Sequence, residues 1–481
     1  MKKRTLSLLL AVACALSLAL SGCGGAPAPD AQTSAPAGSE TPAAVDQTRE
    51  IVFAASRDQC PGEQDAYYAS MSLGVWEPLI TKDESGKPAP ALATEWEHNE
   101  DSTVWTFHLR EGVTFSNGTP FNADSVLANF DRMKKGPFES SFYGMNIDTI
   151  YPGLVSYEKT DDYTVVLTLS EGQPLLDYTM VNYGSAIFEP SCFAEDGTFA
   201  GFPIGTGPYL YDGSSGACLL ASQNWWQHTA QPVERIMLTE TADQEASVYR
   251  FSSHEVQLMV SDLTGTDSIP VSGSAGCIDA DTTVLQYIGI NTSVKGLDDA
   301  AFRRCLSLGL NRQSLISGLL SGHAKAAQFP ISPVSGLYPA ELHTTYSATA
   351  FSEALAACES RPTRTLRLLV NEENSFKLSV AREIAASFSA AGIDMTVTAL
   401  PWADYTAALA AGSFDLYYGE VRLTADWNLA PLLATGGRLN YGGWSDARCD
   451  QLLEAARSAL DQKAALSTLC RYLLLQTPIL P

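Results

Sequence analysis

The chain has 481 residues, of which 45% are hydrophobic and 17% charged, a globular balance with enough length for two or three packed domains. Its formal net charge at pH 7 is −24. An acidic excess of this size argues against nucleic acid and against an anionic lipid surface as partners, and its simplest meaning is solubility.

The first residues have the pattern of a lipoprotein signal peptide. Positive residues at 2–4 precede an apolar run over 6–20, which is too short to span a bilayer. Leu-Ser-Gly-Cys at 20–23 then matches a lipobox. We therefore predict a signal peptide over residues 1–22 and a lipidated Cys23 that anchors the protein to the outer face of the cell membrane.

The next segment predicts a tether. Residues 23–48 are rich in Ala, Pro, Ser, Gly and Thr and show no apolar period, which is typical of a disordered linker. No later apolar run is long enough to span a bilayer.

Eight cysteines follow Cys23, and their spacing does not reveal how they pair. No CxxC occurs, so a zinc ribbon or thioredoxin-type motif is not expected. The eight are Cys60, Cys192, Cys218, Cys277, Cys305, Cys358, Cys449 and Cys470.

The stretch over residues 90–137 has the clearest local pattern. Trp105, Phe107 and Leu109 alternate with polar residues, which predicts a half-buried strand. A turn and a second run from Val113 follow. Asn122 is then placed to cap a helix. The apolar face of that helix is predicted to consist of Val126, Phe130 and Met133.

The same stretch resembles extracellular solute-binding family 5, lipoproteins that bind peptides or nickel and serve ABC importers. The resemblance implies an α/β fold of two lobes joined by a hinge, like the periplasmic binding proteins of type II and their large peptide-binding subclass. The residues in the family's order are Trp96, Trp105, Phe107, Leu109, Arg110, Phe115, Gly118, Pro120, Phe121, Asn122, Ala123 and Asp124.

Residues 203–209, PIGTGPY, faintly resemble a dinucleotide-binding fingerprint. Leu210 stands where the last glycine would be, and no strand–helix unit surrounds the segment. In the family a similar segment is a structural turn, and we interpret it in that way.

The resemblance also implies the domain boundaries. We expect lobe one, with an inserted subdomain, over residues 49–286 and lobe two over residues 287–476. Residues 287–291 are the strand that enters lobe two, and Asp298 or Asp299 caps the helix after it. Residues 477–481 are expected to begin a return to lobe one that is apparently truncated.

From residue 366 the period alternates between strand and helix. This alternation predicts a parallel sheet covered by helices. The predicted strands lie at 366–370, 393–397 and 414–418, and the helices around 380–388 and at 402–411.

The binding hypothesis centres on the segment GEVRLTADW, residues 419–427, because ligands collect at the carboxyl ends of strands in α/β sheets. The resemblance implies that Asp426 pairs with a peptide's α-ammonium, while Thr424 stands where relatives have an aromatic residue. Arg422 is suited to a carboxylate, and Trp427 to an apolar wall or a cation. The alternatives are a turn or cap for Asp426 and a surface ion pair for Arg422.

Motifs of enzymes and metal sites are missing from the sequence. It has no GxSxG, HExxH or Walker loop, so we predict no enzyme, no cofactor and no resident metal. A secreted hydrolase with a triad assembled in space stays an alternative. A nickel chelate is the alternative ligand, although no histidine follows His343.

The sequence therefore predicts an extracytoplasmic, lipid-anchored binding protein of an ABC importer. It is expected to be a monomer that captures oligopeptides by hinge closure and delivers them to permease subunits. A surface receptor or adhesin on the same fold is a further alternative.

Overall fold

The computed structural model describes residues 49–55, 74–83, 87–135, 147, 151–181, 185–197, 199–200, 202–212, 218–266, 276–424, 426–459 and 461–481. The predicted signal peptide, Cys23 and the tether lie outside the described residues, as does Cys60.

The described strands form two five-stranded sheets, one four-stranded sheet and two short ribbons. They are β1 (Glu50–Ala55), β2 (Glu77–Pro78), β3 (Ile80–Lys82), β4 (Pro88–Pro90), β5 (Ala93–His98), β6 (Val104–Leu109), β7 (Leu154–Asp161), β8 (Thr164–Leu169), β9 (Ala186–Ile187), β10 (Tyr209–Asp212), β11 (Cys218–Ala221), β12 (Arg235–Glu240), β13 (Leu258–Met259), β14 (Val284–Ile290), β15 (Leu366–Asn371), β16 (Met395–Leu400), β17 (Leu416–Arg422) and β18 (Ile479–Leu480).

The described helices cover these sheets. They are α1 (Ala123–Lys135), α2 (Leu176–Met180), α3 (Gln244–Ser252), α4 (Ala300–Gly309), α5 (Arg312–Leu319), α6 (Ala348–Ala357), α7 (Ser375–Ala390), α8 (Trp402–Ala410), α9 (Ala430–Leu433), α10 (Ala447–Ser458) and α11 (Gln462–Gln476). Short 3₁₀ helices lie at Pro190–Cys192 and Ala340–Leu342.

Lobe one contains the first five-stranded sheet, in the order β10-β11-β12-β1-β13, and the four-stranded sheet, in the order β5-β6-β8-β7. In β6 the predicted alternation is confirmed, since Trp105, Phe107 and Leu109 are all buried. Helix α1 is also confirmed: the Asn122 side chain accepts a hydrogen bond from the Ser125 N–H at 3.2 Å. Its predicted apolar face is buried.

The second strand expected from Val113 does not form. Thr114 makes only an isolated bridge with Pro120. The Phe115 N–H donates to the Thr119 carbonyl oxygen at 2.8 Å, and the Phe121 N–H donates to the Val113 carbonyl oxygen at 3.0 Å. The pairing is limited to this one bridge. Val113 and Phe115 are nevertheless buried in the core of lobe one.

The glycines of PIGTGPY allow two backbone segments to lie in contact. A Cβ atom on Gly205 would lie 2.2 Å from the Val75 carbonyl oxygen, and one on Gly207 would lie 2.2 Å from that of Gly74. Only glycine, which has no Cβ atom, fits at these two positions. The segment is therefore a structural turn, as the sequence predicts.

Lobe two contains the second five-stranded sheet, in the order β16-β15-β17-β14-β18. β15 pairs in parallel with β16 and β17, as predicted, whereas β14 and β18 are antiparallel to their neighbours. The segment predicted to begin a return to lobe one instead supplies β18, an edge strand that pairs with β14. Asp299 caps α4, as one of the two predicted candidates.

Two tyrosines fix how β14 and β17 lie against each other. Tyr287 lies opposite Gly419, and Gly289 opposite Tyr417. A Cβ atom on Gly289 would lie 2.0 Å from the Tyr417 ring, and one on Gly419 would lie 2.4 Å from the Tyr287 ring. The two hydroxyls lie 3.2 Å apart. Each ring occupies space that only a glycine leaves open, so a slip in register produces a clash.

A carboxyl group ties three segments of lobe one together. Glu77 accepts hydrogen bonds from the indole N–H groups of Trp225, at 3.2 Å, and Trp226, at 2.5 Å. The Thr206 hydroxyl also donates to it, at 3.0 Å. The Arg110 guanidinium lies 4.3 Å from the centre of the Trp226 ring. Burial raises the pKa of Glu77 from 4.5 to about 7.

This raised pKa predicts a pH dependence of stability. The folded chain binds the Glu77 proton more tightly than the unfolded chain, so the stability from this group is present below pH 4.5 and is lost as the pH rises through 7. Between pH 5 and 8 the loss is on the order of 2 kcal/mol. Urea titrations at several pH values should show that the free energy of unfolding falls with rising pH in the unmodified protein and not in Glu77→Gln.

Glu383→Gln is the matched control, because Glu383 is exposed on α7. It should keep the pH dependence of the unmodified protein. The same slope in Glu77→Gln would contradict the assignment to Glu77.

Candidate functional site

The parallel strands of lobe two end at one edge of their sheet. β15, β16 and β17 run in the same direction. The described residues that follow them, 372–374, 401–402, 423–424 and 426–427, therefore lie at that edge. We call these residues the interlobe edge, because the edge also contacts lobe one.

The contact with lobe one is made by Asn374. Its side-chain amide donates to the Thr264 carbonyl oxygen at 2.9 Å. Thr264 follows β13, which pairs in parallel with β1 in the first sheet. Strand ends from both lobes are thus brought together at this contact, and the carboxyl ends of parallel strands are where α/β proteins bind ligands.

The chain also crosses between the lobes at this edge. β14 begins at Val284, which lies opposite Arg422. Just before it, the Thr283 hydroxyl donates to the Leu423 carbonyl oxygen at 2.7 Å, and the Leu423 N–H donates back to the Thr283 carbonyl at 3.0 Å. The predicted binding segment is therefore bonded directly to the connection between the lobes.

A second contact between the lobes lies near α10. The Arg457 guanidinium donates to the Gln173 side-chain oxygen at 3.4 Å. Tyr178 of α2 packs against the core of lobe two.

Asp426 lies in a turn at the interlobe edge and is partly exposed. Its carboxylate accepts one long hydrogen bond, 3.4 Å, from the Asn428 N–H. Its carbonyl oxygen accepts a bond from the Gln462 side chain at 2.9 Å. The carboxylate thus retains acceptor capacity for a cationic group.

Two buried polar atoms flank Asp426 without a partner among the described residues. These atoms are the Thr424 hydroxyl and the side-chain oxygen of Gln462, a residue only 5% exposed. Since buried polar atoms nearly always have a hydrogen-bond partner, both are candidates to bond a ligand in the gap.

Arg422 is the last residue of β17, and its side chain is exposed. On the same strand, Glu420 pairs with Lys377 at 3.0 Å and accepts a bond from Gln286 at 2.6 Å. Arg422 itself also interacts with its surroundings.

Trp427, for which the sequence predicts an apolar wall or a cation-binding face, lies mostly inside lobe two. Its side chain is 8% exposed and belongs to the hydrophobic core of lobe two. The backbone there has φ of 53°, in the left-handed region. Because this turn directs the ring into the core, Trp427 packs against other core residues of lobe two.

Trp402 is an edge residue that the sequence reasoning did not select as a site. It follows Pro401 directly after β16, is 58% exposed and stacks on Tyr405 at 5.6 Å between ring centres. Its backbone N–H donates to the Glu373 carboxylate at 2.7 Å. The sequence placed Trp402 only as the first residue of a predicted helix, which gave no signal of a site.

A cavity of about 470 Å³ lies elsewhere in lobe two. It is lined by residues of α4, α6 and the segment 473–481, with none of the predicted site residues. The interlobe edge also contains no histidine, so no imidazole is placed there for nickel.

Comparisons with known proteins identify what the chain resembles. The family model described as "Bacterial extracellular solute-binding proteins, family 5 Middle" matches residues 87–435. Di/tripeptide-binding protein 3 of Pseudomonas aeruginosa is 24% identical over 82% of this chain and 80% of its own length.

Solved structures share the fold. HbpA2 from Haemophilus parasuis has a TM-score of 0.73 at 21% identity, covering 90% of this chain and 93% of its own. A nickel ABC transporter protein from Bacillus halodurans has a TM-score of 0.73 at 18% identity, covering 89% of this chain and 92% of its own. The predicted two-lobe α/β binding-protein fold is thereby confirmed. Within the described ranges, each helix is too short or too polar to cross a bilayer.

The different surroundings of Trp427 and Asp426 predict effects of different size on the free energy of unfolding. Trp427→Ala should lower the free energy of unfolding by about 3–5 kcal/mol, the usual cost of removing a buried aromatic side chain. Asp426→Ala should change it by less than about 1 kcal/mol, because it removes one long hydrogen bond. Denaturant titration of both variants measures this, and equal effects would contradict the placement of the two side chains.

Proposed function

Because this chain belongs to the bacterial extracellular solute-binding proteins of family 5, we propose that it captures oligopeptides between its two lobes and delivers them to the permease of an ABC importer. Members of this family are extracytoplasmic binding proteins. The observation that best supports the proposal is the facing of the two sheets at the Asn374–Thr264 contact, beside polar atoms that have no partner among the described residues.

In this proposal the interlobe edge supplies a group for each part of a peptide. Asp426 pairs with the α-ammonium, since a carboxylate shielded from water holds an ammonium better than one at the surface. Arg422 binds the terminal carboxylate. The Thr424 hydroxyl bonds the peptide backbone, and Trp402 stacks on a side chain.

Capture would proceed by closure of the lobes. The ligand stabilises the closed form by its differential affinity, because it contacts both lobes only when they approach each other. Thr283, where the chain enters lobe two, is bonded to Leu423 of the edge, so closure and ligand contact would involve neighbouring residues.

Among ligands, we favour a peptide over a nickel chelate. The edge offers a carboxylate and a guanidinium, which complement the two termini of a peptide, and it offers no imidazole to a metal. The name of the similar Pseudomonas protein refers to di- and tripeptides, whereas the similar Bacillus protein is named for nickel.

The membrane anchor is also part of the proposal. The n-region, apolar run and lipobox of the first residues support lipidation of Cys23. The chain between Cys23 and residue 48 would then act as a flexible tether for the binding domain.

Binding experiments with free and N-acetylated tripeptides test the role of Asp426. Asp426→Asn should weaken binding of the free-amine peptide more than tenfold, while affinity for the acetylated peptide should change little, because only the former carries the ammonium. Isothermal titration calorimetry measures both, and mass spectrometry of co-purified solutes identifies a natural ligand.

Glu383→Gln is again the matched control, since it removes one negative charge from an exposed face of α7, outside the edge segments. Unchanged affinity in Asp426→Asn would remove Asp426 from the site. Peptide turnover in place of retention would support the hydrolase, and retention of nickel chelates alone would support the metal alternative.

Replacement of the lipobox cysteine tests the anchor. Cys23→Ser should move the protein from the membrane fraction to the aqueous phase on detergent partition, because no thiol remains to be acylated. Cys14→Ser, which changes a cysteine inside the apolar run, should leave it in the detergent phase. Equal partition of the two variants would contradict lipidation at Cys23.

A further inference from the structure

Three side chains of metal-ligand type meet outside the interlobe edge. The ligand atoms of Cys277, Asp279 and His323 all lie within 4.8 Å of one another. The His323 Nδ1 and an Asp279 carboxylate oxygen are 2.7 Å apart, and the Cys277 thiol is free and exposed. Cys277 and His323 are far apart in the sequence, so no motif search would have joined them.

The backbone brings the three residues together in a fixed arrangement. Cys277 and Asp279 lie on the segment that leads into β14, and His323 lies in the turn after α5. Ser321 and Gly322 in that turn have φ of 52° and 93°. Next to the cluster, the Lys325 ammonium binds the Asp281 carboxylate at 2.7 Å. This ion pair holds the same two segments side by side, independently of any metal.

We propose that Cys277, Asp279 and His323 form a binding site for one divalent transition-metal ion of the zinc class. A thiolate, an imidazole nitrogen and a carboxylate are the donors that Zn²⁺ takes in proteins, and three of them leave a fourth position for water. The thiolate disfavours Mg²⁺ and Ca²⁺, which prefer oxygen donors.

The geometry fits with small movements. Donors around a tetrahedral zinc ion are roughly 3.3–3.7 Å apart, given bonds of about 2.0–2.3 Å. The distance between His323 Nδ1 and the Asp279 oxygen would lengthen by about half an ångström. The Cys277 sulfur would move toward these two atoms. Exposed side chains can make these shifts. Binding releases the thiol proton. The imidazole proton, which the hydrogen bond to the Asp279 carboxylate places on Nδ1, moves to Nε2, so that Nδ1 can bind the metal.

The ion would join the connection between the lobes to the body of lobe two. The segment with Cys277 and Asp279 ends at Thr283, which is bonded to the interlobe edge. The site itself shares no residue with the proposed peptide site, so its existence does not depend on peptide capture.

Cobalt and zinc titrations of the mature, reduced protein test the site. One Co²⁺ per chain should give a sulfur-to-metal charge-transfer band, and Zn²⁺ should displace it. Cys277→Ser should abolish the band, and both Cys277→Ser and His323→Ala should weaken zinc binding at least tenfold in competition with a chromophoric chelator. Zinc should also raise the melting temperature of the unmodified protein and not of these variants.

His343→Ala is the matched control, since His343 is an exposed histidine of the same lobe. It should bind zinc as the unmodified protein does. All three ligand residues are exposed, so the variants should fold, and circular dichroism checks this. Absence of the cobalt–sulfur band in the unmodified protein, or equal zinc affinity in Cys277→Ser, would overturn the proposal.

Discussion

The pairing of β14 with β17 determines how the other parts of lobe two are placed. Tyr287 lies over Gly419 and Tyr417 over Gly289, and this reciprocal packing fixes the register. Because the register is fixed, the start of β14 lies beside the end of β17. The crossing between the lobes and Leu423, directly after β17, are therefore held together, and the carboxyl ends of β15, β16 and β17 face lobe one.

Local patterns of the sequence were sufficient to predict the elements that depend on neighbouring residues. The alternation in β6 and the caps of α1 and α4 follow from spacing and from side chains that bond the backbone a few residues away. The run after Val113 forms only a single bridge and no strand, although its apolar residues are buried as expected.

The site was harder to predict, because it depends on residues far apart in the chain. Nothing local indicated that Asn374 meets Thr264, or that Gln462 bonds the backbone of Asp426. The sequence placed Trp427 beside Asp426 but could not show that a left-handed turn directs its ring into the core. Conversely, Trp402 has the sequence context of an ordinary first residue of a helix, and only the fold places it at the edge.

If a peptide binds between the facing sheet edges, a crystal structure of the protein with a tripeptide will show it there. We predict density for the peptide between the lobes, with its ammonium on Asp426 and contacts from residues 372–374, 401–402 and 423–427. A peptide bound outside this gap, for example in the cavity beside α4 and α6, would contradict binding between the lobes.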